Sequence, residues 1–206
     1  MINKVFGKKL GMTRYFLDEG VCVPVTIVKV EPCVVIQKKT SEKDGYEAVQ
    51  IGFNPIKEKQ INSPLRGHLK VAGGQWFSIL KEIRVDDVSQ FEVGQEILPD
   101  IFQIGDKVKI SGISKGRGFS GVIKRWGFSG GRKTHGSRSH RVPGSIGQNT
   151  SPGRVHKGRK LPGRMGFQRV TIKNLRILDI RPDMNILALK GSIPGSVNNV
   201  IEISKS

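Results

Sequence analysis

The residues of this chain best suited to chemistry are crowded into its middle third. KGRGFSG (115–121) sets Gly116, Gly118 and Gly121 in a formal G-x-G-x-x-G spacing. That spacing can bring a backbone against a dinucleotide pyrophosphate, but it needs a helix start after the glycines and an acid about twenty residues on for the ribose. A β-like VIKRW follows instead, and no acid appears until Asp179. The remaining use is a backbone that approaches a phosphate closely, with Lys115 and Arg117 neutralising it. GGRKTHG (130–136) lacks the spacing of a phosphate-binding loop. His135, His140 and His156 raise the question of a metal. No cysteine or carboxylate lies near them in sequence, and their arginine-rich setting repels a cation. No metal and no cofactor is expected, and the histidines read as donors to phosphate or ribose. The serines of the same stretch have no local carboxylate to complete a hydrolase triad. No catalytic residue is assigned, and the chain is not expected to be an enzyme.

What remains is charge. The 206 residues carry a net charge of +18. Between Asp106 and Asp179 there are eighteen lysines and arginines and no acid, which leaves seventeen bases against seventeen acids elsewhere. The whole surplus therefore sits in one contiguous third. Self-repulsion of that size gains nothing for isolated folding and points to a polyanionic partner. Nucleic acid comes first and an anionic membrane surface second. No run of eighteen apolar residues exists, so no membrane span is expected. The start has no long apolar stretch, which argues against a signal peptide. Cys22 and Cys33 read as two buried thiols rather than a disulfide framework.

The elements that must position these bases are mainly β. VCVPVTIVKV (21–30), CVVIQKK (33–39), YEAVQIGF (46–53) and WFSILKEIRV (76–85) are rich in β-branched and aromatic residues between polar breaks, with SEKDG (41–45) as a turn. PLRGHLKVAG (64–73) predicts a short helix closed by Gly73. FEVGQEILP (91–99) reads as a hairpin piece. DKVKISGIS (106–114) alternates as a strand, and VIKRWGF (122–128) is expected to continue the sheet. From Ser129 to Gly166 neither a helical nor a strand period survives. The pattern resumes in RVTIKNLRILDI (169–180), turns at RPDMN (181–185), and ends with ILALKGSIPG (186–195) and VIEIS (200–204). These last strands need partners, and the first half offers them. The expected division is a β body at 1–124 and 167–206, with an internal basic extension at 125–166.

An irregular loop of nearly forty residues is uncommon in a compact domain and is usually functional or disordered. Low hydrophobicity with high charge leaves its ordering to a partner. The expected contacts are Lys115, Arg117, Lys124, Arg125, Trp126, Arg132, Lys133, His135, Arg138, His140, Arg141, Arg154, His156, Lys157, Arg159, Lys160 and Arg164. Trp126 and Phe128 either cap the end of the β core or stack on a base or ribose. Duplex DNA is usually read by a helix or ribbon in a groove, whereas an extended, glycine-rich, acid-free strand suits a folded RNA with irregular clefts. A DNA-architectural protein and a nucleotide-dependent RNA-modifying enzyme are the competing classes.

VFGKKLGMTRYF (5–16), SKGRGFSGVIKRWGF (114–128), THGSRSHRVPGSIGQNTSPGRVHKGRKLPGRMG (134–166) and KGSIPG (190–195) resemble the bacterial type of large-subunit ribosomal protein L three almost end to end. Lys109 departs from the Asp or Asn common in that family and adds charge to a basic strand. The resemblance implies a translation-protein-type β-barrel body with a small inserted subdomain and a long irregular basic extension. It implies a non-catalytic, cytoplasmic ribosomal protein, or an organellar one, that binds 23S-type rRNA and supports subunit assembly. The extension would reach toward the peptidyl-transferase centre, its tip being Gly144, Ser145, Ile146, Gly147, Gln148, Asn149, Thr150 and Ser151. Proteins L fourteen and L nineteen are the implied neighbours. Gln148 is the implied N5-methylglutamine, made by a glutamine N5-methyltransferase.

Overall fold

The structure, a computed structural model, describes residues 4–17, 20–97 and 101–205. It divides into two compact units, Met1–Ile113 with Arg169–Ser206, and Ser114–Gln168. The expected extension, 125–166, lies wholly inside the second.

In the first unit, β1 (Lys4–Phe16) is followed by β2 (Cys22–Lys29) and β3 (Cys33–Lys39). A one-turn helix α1 (Ser41–Asp44), closed by left-handed Gly45, leads to β4 (Ala48–Pro55). Then come α2 (Ser63–Lys70), β5 (Phe77–Arg84), β6 (Glu96–Ile97) and β7 (Lys107–Ile113). The second unit contributes β8 (Phe119–Ser120), α3 (Val122–Trp126) and β9 (Gly163–Arg164). The chain returns as β10 (Arg169–Arg181), β11 (Ile186–Lys190) and β12 (Val200–Lys205).

Six strands close a barrel in the order β1-β12-β7-β10-β11-β2. The late strands pair with early ones, as their unpaired pattern requires: β12 lies between β1 and β7, and β11 against β2. Alternation decides what each strand sends inward. Val5 faces Ile203, Ile203 faces Ile110, and Leu187 faces Val28. All five are buried in one cluster that also holds Val108, Ile177, Leu189 and Ile201. Each such side chain contributes about 1.5–3 kcal/mol relative to exposure. Full closure leaves this barrel no free edge.

Between β2 and β7 the chain builds a smaller antiparallel sheet, β5-β4-β3-β6. β3 opens with an unbroken apolar run, Cys33 to Ile36, because both its faces are covered there. Val34 and Ile36 meet Leu69 and Ala72 on the α2 side, while Cys33 and Val35 meet Phe6, Val49 and Ile51 on the other. Phe6 is the residue after inward Val5, so it points out of the barrel. There it stacks on Phe53, with ring centres 4.9 Å apart.

Three expectations change here. The 91–99 segment is not a hairpin of its own: Glu96 and Ile97 pair with Val34 and Cys33 of β3, and Leu98 and Pro99 lie outside the described residues. Only Cys33 is buried; Cys22 is a free, exposed thiol, because it stands at the open end of the β1–β2 ribbon opposite Phe16. The 122–128 segment does not extend the sheet. Extended Gly121 starts a short helix, and left-handed Gly127 (φ 73°) ends it after five residues. The glycine pair overrides the β preference of Val122 and Ile123.

Lys9 ties two distant motifs together. A bulge in the β1–β2 pairing between Lys9 and Gly11 turns this buried side chain toward the 191–199 loop. Its ammonium donates to the carbonyls of Ile193 at 2.9 Å and Gly195 at 3.1 Å. A buried cation is tolerated only with such partners.

Candidate nucleic-acid interface

The second unit is built almost without a core. Ser120 and Val122 are its only buried residues among those described, and Val142, Ile146 and Val155 are all exposed. Backbone pairing and a few side-chain clasps hold it instead.

Its two limbs run side by side. Phe119 pairs with Arg164 and Ser120 with Gly163. The Arg117 amide donates to the Met165 carbonyl, and the Met165 amide to the Gly118 carbonyl, both at 2.9 Å. Here the glycine-rich segment meets its own chain. Gly166 has φ +74°, and a Cβ there would stand 2.1 Å from the Lys115 carbonyl oxygen. The tight contact belongs to Gly166; a Cβ on Gly116 would meet nothing nearer than 3.8 Å, and one on Gly118 or Gly121 nothing within 4 Å.

α3 clasps the returning limb. Val122, Arg125 and Trp126 fall at i, i+3 and i+4, one face of a helix. Val122 is buried, while Arg125 Nη1 at 2.7 Å and Trp126 Nε1 at 2.9 Å donate to the same Leu161 carbonyl. The Arg125 guanidinium lies 5.0 Å from the Trp126 ring centre and Lys160 Nζ 5.9 Å from it. Gly163 leaves the space that Arg125 fills, since a Cβ there would meet Nη1 at 2.6 Å. Trp126 thus works inside its own unit while 42% of it stays exposed. Leu161, a backbone acceptor, carries no sequence signal for this part.

Beyond α3 the chain crosses itself. The Gly131 amide donates to the His140 carbonyl at 3.0 Å, and His140 Nδ1 donates to the Arg132 carbonyl at 2.9 Å. A Cβ on Gly131 would stand 2.0 Å from the Ser139 carbonyl oxygen. This closes a loop that carries Arg132, Lys133, His135 and Arg138 on its exposed outside. Arg141 follows it. The 144–151 segment contains left-handed Gly144. Ser145 donates to the Gly147 carbonyl at 2.9 Å, and Arg159 donates to the Ser145 carbonyl. Gln148, Asn149, Thr150 and Ser151 are exposed. On the return, Arg154, His156 and Lys157 are exposed, and Arg164 lies over the Phe167 ring at 4.9 Å.

The expected contacts thus separate into two sets. Arg125, Trp126, His140, Arg159, Lys160 and Arg164 have work inside the unit. Lys115, Arg117, Lys124, Arg132, Lys133, Arg138, Arg141, Arg154 and Lys157, together with His135 and His156, have no side-chain partner among the described residues. Their unit contains no acid, and none of its bases joins an ion pair there. The three histidines do not converge; no group of three metal-binding side chains exists among the described residues. No helix among them is long and apolar enough to cross a membrane. Such a surface offers an anion many exposed, uncompensated cations on a backbone held open by glycine turns.

The chain has relatives among known proteins. The family described as "Ribosomal protein L3" matches residues 67–185. The large ribosomal subunit protein uL3 of Heliobacterium modesticaldum is 50% identical over 202 residues, covering 98% of this chain and 96% of that protein. Its namesake in Syntrophus aciditrophicus is 50% identical over 206 residues, 100% of this chain and 94% of that protein. The one in Desulfosudis oleivorans is 52% identical over 205 residues, 100% and 99% respectively.

Proposed function

This chain belongs to the ribosomal protein L3 family and is a structural constituent of the large ribosomal subunit, not an enzyme; from that premise we propose how its two units divide the work. The barrel and its inserted sheet are the anchored body. The second unit is the rRNA-binding extension, which neutralises 23S-type rRNA phosphates and supports assembly of the subunit. The observation that carries this reading is the set of nine exposed, unpartnered bases on a unit with no acid.

Within that set, Arg132, Lys133, Arg138, Arg141, Arg154 and Lys157 flank the uncharged 144–151 segment on both sides. Charge draws the unit among phosphates, and the small neutral residues fit where the RNA is closest. That segment is our candidate for the tip at the peptidyl-transferase centre. Exposed Gln148 is the side chain a glutamine N5-methyltransferase would reach. Proteins L fourteen and L nineteen are the proposed protein neighbours of the body.

The test is the salt dependence of binding to 23S-type rRNA. Each phosphate contact contributes about 0.7–0.9 to the slope of log affinity against log salt. Removing residues 130–164, which takes out six of the nine free bases, should flatten that slope by about 4–5 while the barrel keeps its thermal melt. An unchanged slope would sink the reading.

A further inference from the structure

We propose a second phosphate-binding surface on the barrel wall, formed by Lys107 and Lys109 of β7 with Lys173 and Arg176 of β10. The register fixes which way these side chains point. Val108 and Ile110 are buried inside the barrel, so their neighbours Lys107 and Lys109 face outward. On β10, Ile172 pairs with Ile110 and Leu175 with Val108. Lys173 and Arg176, each the residue after an inward one, face outward on the same wall. The Ser111–Thr171 hydroxyl contact of 2.8 Å, one step along the same ladder, marks that outer face.

Lys107 and Arg176 stand directly opposite each other in the ladder. Like charges in that position destabilise a sheet, and no ion pair among the described residues relieves them. The neighbouring acids are already engaged: Asp106 with Lys205 at 3.0 Å, and Glu202 with Lys4 and Arg169. None of the four bases has an ion pair among the described residues. Lys107, Lys173 and Arg176 are exposed and Lys109 is half-exposed. Four uncompensated cations on adjacent strands form an anion site on a rigid scaffold, distinct from the glycine-turned unit. The ligand is the phosphate backbone of the same rRNA, and the proposal rests on the rRNA reading above.

Two matched variants of the full chain test it. One carries Lys107→Gln, Lys109→Gln, Lys173→Gln and Arg176→Gln. The other carries Arg132→Gln, Lys133→Gln, Arg138→Gln and Arg141→Gln in the extension. Binding of each to a full-length 23S-type rRNA transcript is measured across salt. The wall variant should flatten the log–log slope by about 3 and melt no lower than wild type without RNA, because it removes a repulsive pair. An unchanged slope in the wall variant, with the extension variant still flattened, overturns the wall site and leaves the extension reading standing. That outcome includes the case in which the wall faces an acidic protein. The reverse pattern keeps the wall site and removes the extension reading.

Discussion

Replacing Arg125 with alanine should open the second unit locally without touching the barrel. Arg125 donates a charge-assisted bond of 2.7 Å to the Leu161 carbonyl. Bonds of this kind contribute about 1.5–3 kcal/mol. Its stacking on Trp126 adds about 0.5–1 kcal/mol at an exposed site. The expected loss is therefore about 2–4 kcal/mol of closing free energy, a factor of roughly thirty to several hundred. The Leu161 carbonyl keeps the Trp126 donor, so no acceptor is orphaned and the effect stays local. Hydrogen exchange reads it directly. The Arg117 and Met165 amides, which bridge the two limbs, should lose protection by that factor, while the Ile110 amide in the barrel keeps its own. Binding to rRNA should weaken with the salt slope unchanged, since a clasp organises phosphate contacts without being one. Unchanged exchange at Arg117 and Met165, together with a slope reduced by about 0.7–0.9, would refute the clasp and make Arg125 a direct phosphate contact.

Lys9→Met should lower barrel stability by about 2–4 kcal/mol in urea denaturation, because it removes a buried cation's bonds to two carbonyls; a change below about 0.5 kcal/mol would show the bonds to be dispensable. Thiol alkylation of the native protein at pH 7.5 should modify Cys22 alone. Burial pushes the Cys33 thiol up to about 11, which suppresses the reactive thiolate as well as access; equal labelling of both would contradict the packing around β3. The Asp106 carboxyl is held below its usual 3.8 by the Lys205 ammonium and then by the Gln103 amide. Its stabilising contribution is present above the unfolded value and is lost as pH falls through the lower folded one. Asp106→Asn should therefore melt earlier than wild type at pH 7, with the gap closing as pH falls from the usual 3.8 through the lower folded value; a gap constant with pH would show the ion pair to be irrelevant.

The strands that bury one face or two were legible in the sequence. CVVIQKK and RVTIKNLRILDI announce themselves by β-branched density, the first becoming β3 of the inserted sheet and the second β10 of the barrel. β1 was less so, because KVFGKKLGMTRYF carries four bases and two glycines, and its inward residues show only once β12 and β2 flank it. Local composition misled at 122–128. Val122 and Ile123 favour a strand, but Gly121 and Gly127 set the dihedrals, and a five-residue helix results. The site was legible as charge and not as geometry. Eighteen bases without an acid can be counted. That Arg125, Arg159 and Lys160 spend their cations on carbonyls and a ring cannot be counted, because the acceptors at Leu161 and Ser145 are backbone atoms that no residue type reveals. Nor can the opposition of Lys107 and Arg176, which depends on the β10 bulge between Ile172 and Leu175.

The central claim is that the second unit lies among rRNA phosphates. A photo-cross-linking map on intact large subunits tests it most directly, with probes placed one at a time at Lys133, Arg141, Gln148 and Lys157, and at exposed Val71 of the inserted region as a reference. The account predicts cross-links to 23S-type rRNA from all four extension positions, with those from Gln148 falling at the peptidyl-transferase centre. Cross-links from these positions to protein alone, or rRNA yields no higher than at Val71, would contradict it.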